Sequence, residues 1–208
     1  MLEIDRPFTI SPSTVINLVS SQTHQFSEAD RQMAVEASKR GRAIHKQIEY
    51  NLTHHHDNPD YLTRFVWDNY PPPISTEKSY SVNLGSNVIL FAKPDIISGT
   101  PGQSCLCLEI KPGKIGKPAN GLQIREVLQV ILNAITVSNN NPPDVIIYQY
   151  DTGTVVIIPS DIQRRLNPLA KDIAISASKI IYFEGYRHKL KDAGTIRRKK
   201  PDGQLYLF

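Results

Sequence analysis

Three residues near the middle of the chain carry the chemistry: Asp95, Glu109 and Lys111. An apolar run, Val88-Ile89-Leu90-Phe91-Ala92, leads through Lys93 into Pro94-Asp95, and a second run, Cys105-Leu106-Cys107-Leu108, leads into Glu109-Ile110-Lys111. Residues two apart on a strand share a face, so Glu109 and Lys111 sit side by side. Asp95, expected at the end of the neighbouring strand, can join them. Two carboxylates beside an ammonium on a sheet edge form a hard, oxygen-lined pocket for Mg²⁺ with a cation ready for phosphate. That chemistry suits phosphodiester hydrolysis. Taken singly, Glu109 and Lys111 could be charges guarding an edge strand, and Pro94-Asp95 a turn.

The elements that must hold these residues follow from periodicity. Ser11-Pro12-Ser13 starts a helix over 11–21, with Val15, Ile16, Leu18 and Val19 on its apolar face. Ser27-Glu28-Ala29-Asp30 opens a longer helix reaching about Asn51, and a short one is expected around Tyr61–Asn69. Strands are expected over Tyr80–Leu84 and Asn87–Ala92 around a Gly85-Ser86 hairpin, then over Ser104–Lys111. Residues 112–120 form a basic loop beside the site, carrying Lys114 and Lys117. A helix over about Gly121–Val137, strands over Asp144–Gln149 and Val155–Pro159, and a helix from Ser160 to about Arg187 complete the order. The expectation is an α/β fold: a mixed central sheet flanked by helices. Residues 1–189 form the domain, and 190–208 a basic tail.

On the long second helix, Gly41, His45 and Glu49 are four apart and share a face. A lone His is more often structural than a ligand. Facing Asp95 and Glu109, however, His45 and Glu49 can complete a metal shell or orient water. The Gly41-x-x-x-His45-x-x-x-Glu49 helix, Glu77 opening a strand, Asp95, Glu109-x-Lys111 and a following Gln129 helix come in an order that resembles the RecB-like members of the PD-(D/E)xK nuclease superfamily. The resemblance spans residues 35 to 150. It implies a restriction-endonuclease-like core and a DNA nuclease using Mg²⁺ or Mn²⁺, with His45, Asp95, Glu109 and the Ile110 carbonyl as metal ligands. Lys111 would position or activate water, and Gln129 would contact the site or the scissile strand. Two departures stand out: Asn133 replaces the aromatic residue of the last motif, and Lys93-Pro94 replaces the small residue before the metal Asp. Some relatives hold an iron–sulfur cluster with four cysteines; Cys105 and Cys107 cannot, so no cluster is expected.

Composition sets the remaining bounds. With 208 residues, 40% of them hydrophobic, the chain can bury one core. It has no run of roughly 20 apolar residues for a membrane span and no signal pattern at its start, which points to a cytoplasmic, nucleoid-associated protein. Alternate on one strand, Cys105 and Cys107 read as buried fillers, and His54-His55-His56 as a solvated loop. The formal net charge of +4 is uneven. Arg187, Lys189, Lys191, Arg197, Arg198, Lys199 and Lys200 crowd the C-terminal end, as a solvated tail or as a DNA contact alongside Lys93, Lys114 and Lys117. The last residues, Gln204-Leu205-Tyr206-Leu207-Phe208, either pack on the domain or serve as a partner peptide. They resemble the bacterial sliding-clamp-binding pentapeptide, which implies contacts through Gln204, Leu205, Leu207 and Phe208. The reading from a different class is a non-catalytic DNA-binding or clamp-associated adaptor.

Overall fold

The computed structural model describes residues 3–19, 28–54, 57–70, 72–101, 103, 105–112, 124–138 and 141–192. It opens with strand β1 (Phe8–Ile10) and helix α1 (Pro12–Val19). Ser11 starts α1: its Oγ accepts from the Thr14 N–H at 3.2 Å, and Pro12 fills the first turn, where no N–H is needed. Next come α2 (Glu28–Thr53), α3 (Tyr61–Asn69), β2 (Ile74–Thr76), β3 (Tyr80–Gly85), β4 (Val88–Ala92), β5 (Ile96–Gly99) and β6 (Cys105–Lys111). Helix α4 (Ile124–Val137), β7 (Asp144–Gln149), β8 (Thr154–Ile158) and α5 (Ser160–Asp192) finish the described chain.

The architecture is α/β with mixed sheets flanked by helices, as expected in outline. The strands divide between two sheets where one was expected. A three-stranded sheet runs β1-β4-β3, and a five-stranded sheet runs β2-β5-β6-β7-β8. β6 and β7 are parallel, while the other neighbours in the larger sheet are antiparallel. The hairpin between β3 and β4 turns at Ser86 and Asn87, at φ 52° and 59°, one residue later than expected. Two consecutive positive φ values match the right-handed strand twist.

β6 is buried on both faces and positions the site. Leu106, Leu108 and Ile110 point into a cluster with Ile48 and Leu52 of α2 and Leu62 and Val66 of α3. Cys107 points the other way, into a cluster with α4, β7 and the smaller sheet. Each fully buried Leu or Ile stabilises the fold by about 1.5–3 kcal/mol, so α2 is pinned through Ile48 and Leu52. Helix α4 packs against both sheets, and all of Val130–Val137 is buried. Cys105 and Cys107 are both buried, as expected.

Three expectations need correction. Asp95 does not end the strand before it: it precedes β5, a strand in the other sheet. Glu77 does not open a strand; it follows β2 at φ 47°, which breaks the extended chain. The boundary at 189/190 falls inside α5, which continues to Asp192. No helix among the described residues is long and apolar enough to cross a membrane.

Candidate active site

Strand register explains how Asp95 meets Glu109. β5 pairs with β6 through Ile96 opposite Leu108 and Ile97 opposite Cys107. Continued by one residue, that register sets Asp95 across from Glu109 on the α4 face. Continued by two, it sets Pro94 across from Ile110. Pro94 has no N–H, so the ladder stops there. The Ile110 N–H donates instead to Asp95 Oδ2 at 2.8 Å, fixing that carboxylate at the strand edge. In an extended strand one residue's N–H and C=O point to the same edge, which puts the Ile110 carbonyl oxygen on the Asp95 side. On the opposite edge, the Lys111 carbonyl accepts from the Tyr150 N–H at 3.0 Å.

Glu109 is 2% exposed and lies at the centre of a hydrogen-bonded network. Its Oε1 accepts from Lys111 Nζ at 2.8 Å and from Gln129 Nε2 at 2.7 Å. Gln129 Oε1 in turn accepts from Lys111 Nζ at 3.0 Å, and Asn133 Nδ2 donates to Glu109 Oε2 at 2.7 Å. Burial and the charge of Asp95 push the Glu109 carboxyl up to about 7, against the lowering pull of Lys111 and Asn133. Two carboxylates and one ammonium therefore leave this pocket short of positive charge at neutral pH. The Cys107 thiol, raised by burial and by neighbouring acids, stays protonated and inert.

From α2, His45 Nδ1 lies 3.5 Å from Asp95 Oδ1. That contact raises the His45 pKa above its ordinary value; burial opposes it, while the charges of Asp95 and Glu109 add to it. Glu49, expected to complete a metal shell or orient water, accepts a hydrogen bond from Thr76 Oγ1 on β2. Its place is beside the site: the next residue, Glu77, donates its N–H to the Asp95 carbonyl at 3.1 Å. Lys93 is on the surface, 2.7 Å from Glu77 Oε2.

Among the described residues, no three His, Cys, Asp or Glu side chains converge into a metal cage. Mg²⁺ does not require one; it is commonly held by one or two carboxylates and keeps several waters. Asp95, Glu109 and the Ile110 carbonyl suit that ion in donor type and in charge. His45 is the softer donor, less suited to Mg²⁺, and it faces Asp95. Two clefts of about 370 Å³ lie away from these residues, one beside Leu18 and Ile173 and the other beside Trp67 and Tyr70.

The sequence pattern undervalued Asn133, where an aromatic side chain was sought. The signal was present: Gln129 and Asn133 are one turn apart, and Asn133 is a polar residue inside an otherwise apolar helical face. Lys114, Lys117, Arg197, Arg198, Lys199 and Lys200 lie outside the described residues, as do Gln204, Leu205, Leu207 and Phe208.

No protein-family model matches the chain, and a search of curated proteins finds no match. Among solved structures the chain is similar to one described as the crystal structure of SSO0001, at 15% identity and a TM-score of 0.44. The likeness covers 83% of this chain and 77% of that one. A similarity at this level carries no argument about fold or function.

Proposed function

We propose that this chain is a metal-dependent DNA nuclease of the RecB-like, PD-(D/E)xK type, hydrolysing phosphodiester bonds on a restriction-endonuclease-like core. One observation carries the reading: Asp95 stands across from Glu109 at the end of the larger sheet's central strands, and Lys111 and Gln129 are bonded to Glu109. Mg²⁺ or Mn²⁺ held by Asp95, Glu109 and the Ile110 carbonyl would lower the pKa of a water and offset charge on the phosphate. The Lys111 ammonium has three N–H donors, two of them spent on Glu109 and Gln129. Its third can meet a phosphoryl oxygen, where negative charge grows during in-line attack. Gln129 aims that ammonium from α4. His45 fixes Asp95 from the opposite side. We place the activity in DNA replication, recombination or repair in the cytoplasm, with the Gln204–Phe208 peptide as a sliding-clamp contact.

The second reading, a non-catalytic DNA-binding adaptor, draws support from the three hydrogen bonds that already occupy the Glu109 carboxylate. The two are separated by Asp95→Asn and Lys111→Ala. Each should remain folded by circular dichroism and lose metal-dependent DNA cleavage that the wild type performs. Cleavage retained by either variant contradicts the nuclease assignment.

A further inference from the structure

Gln149 ends β7 as a buried polar side chain, 6% exposed. Its carbonyl accepts from the Thr152 N–H and hydroxyl, both at 3.3 Å, yet its side-chain amide has no partner among the described residues. Burying an amide unpaired costs the fold stability, so its presence calls for a reason. Strand register shows where that amide lies. Lys111 on β6 is registered with Gln149 on parallel β7. Val145 and Ile147, four and two residues earlier on β7, lie in the cluster with α4. Gln149 therefore shares the α4 face with Lys111 and Glu109, as the neighbour of Lys111 across the sheet.

Helix α4 supplies a second unpaired donor. Asn133 meets Glu109, and Gln129, one turn earlier, meets Lys111, so α4 runs opposite to β6. Arg125 is the next residue of that stripe, a further turn or roughly 5.4 Å on. That step carries it past Lys111, toward the ends of β6 and β7. Arg125 is exposed and makes no hydrogen bond or ion pair among the described residues. β7 lies on the side of β6 away from β5, and two strand spacings, roughly 10 Å, separate it from the Asp95 side. Asp151, in the turn after β7, is neutralised by its pair with Arg40 at 2.5 Å. Amide and guanidinium N–H groups are ready donors for phosphate oxygens.

We propose that Gln149 and Arg125 form a second phosphate site beside the candidate active centre. They hold the backbone phosphate next to the one that Lys111 meets, Gln149 through its amide N–H and Arg125 through its guanidinium. The proposal rests on the nuclease reading and adds the residues that seat the strand beside the cleaved bond. It also accounts for the unpaired amide, because the substrate supplies the missing partner.

The test uses the full chain and a labelled oligonucleotide, with binding read by fluorescence anisotropy in EDTA, cleavage in Mg²⁺ and stability in urea. Gln149→Leu removes the amide at similar size. It should weaken binding and raise KM about tenfold, as for a lost hydrogen bond to a charged group, with kcat nearly unchanged. Its stability should equal or exceed that of the wild type, because no partner is lost and a desolvation cost is removed. Arg125→Ala should reduce the slope of log affinity against log salt by about 0.7–0.9, whereas Gln149→Leu should leave that slope unchanged. Lys171→Ala, which removes an exposed charge on α5, should alter none of these readings. If the wild type does not cut DNA, this proposal and the nuclease reading fall together. If the wild type cuts DNA and Gln149→Leu keeps the wild-type affinity and KM, the proposal alone is overturned. A Gln149→Leu variant less stable than the wild type overturns it too, by showing that the amide serves the fold. Arg125→Ala with the wild-type slope, or an equal slope change in Lys171→Ala, removes Arg125 from the site.

Discussion

Replacing Glu109 by Gln keeps the side chain's size and removes its charge. In the folded protein this carboxyl titrates at about 7, against an ordinary value of 4.5, chiefly because it is buried and secondly because Asp95 is near. Each pH unit of that rise corresponds to about 1.4 kcal/mol, so the whole is on the order of 3 kcal/mol. The sign follows from linkage. The folded state binds this proton more tightly than the unfolded chain, so the contribution is complete below pH 4.5 and is lost as pH rises through about 7. Urea denaturation in EDTA should therefore find the wild type less stable at pH 8 than at pH 5, on the order of 3 kcal/mol from this group. His45, also raised, adds a loss in the same direction above its ordinary 6.5. Glu109→Gln should keep only the His45 part, giving a flatter profile and a stability gap over wild type that widens toward pH 8. Parallel profiles for the two proteins, on circular dichroism and fluorescence alike, would refute the argument that Glu109 is a buried, charge-starved carboxylate.

Three further perturbations test neighbouring parts of the account. Asn133→Ala removes a donor from the buried Glu109 carboxylate and should cost about 1.5–3 kcal/mol at pH 8 and less at pH 5, where the carboxyl is protonated; an equal loss at both pH values would contradict this. Gly41→Ala should stabilise α2 by roughly 1 kcal/mol, read as a higher Tm, since the added methyl has open space around it; a lower Tm would refute that reading of α2. Asp60 caps α3 by accepting from the Thr63 N–H at 2.8 Å, and Asp60→Ala should cost about 1 kcal/mol. Burial raises the Asp60 pKa, but hydrogen bonds from Thr63 and Asn51 outweigh it and hold the carboxyl below its ordinary 3.8. The cap's contribution is therefore present above that pH and fades as pH falls through the lowered value, so a deficit in Asp60→Ala that persists unchanged at pH 2 would argue against it.

The chemistry was more legible in the sequence than its placement. Glu109 and Lys111 could be set side by side because strand period is local, and their contact at 2.8 Å bears this out. Helix α3 could be bounded because its apolar spacing lies within ten residues. Asp95 was found as a residue but assigned to the wrong strand. Its true strand, Ile96–Gly99, is four residues long, and only pairing with Leu108 defines it. β1 escaped for the same reason: three residues gain their partner from Val88–Leu90, some eighty positions away. The division into two sheets is likewise a property of long-range pairing. Glu49 shares the stripe of His45, but no spacing rule could show that Thr76 takes it. Asn133 was visible as a polar residue in an apolar helix, and the search for an aromatic side chain obscured it.

The most direct measurement is cleavage of end-labelled linear and circular DNA, single- and double-stranded, by the purified wild type in EDTA, Mg²⁺ and Mn²⁺. The account predicts products only with a divalent ion, and circle cutting would mark an endonuclease. Intact DNA in every metal from a folded protein that still retards DNA would contradict the account and leave the adaptor in its place.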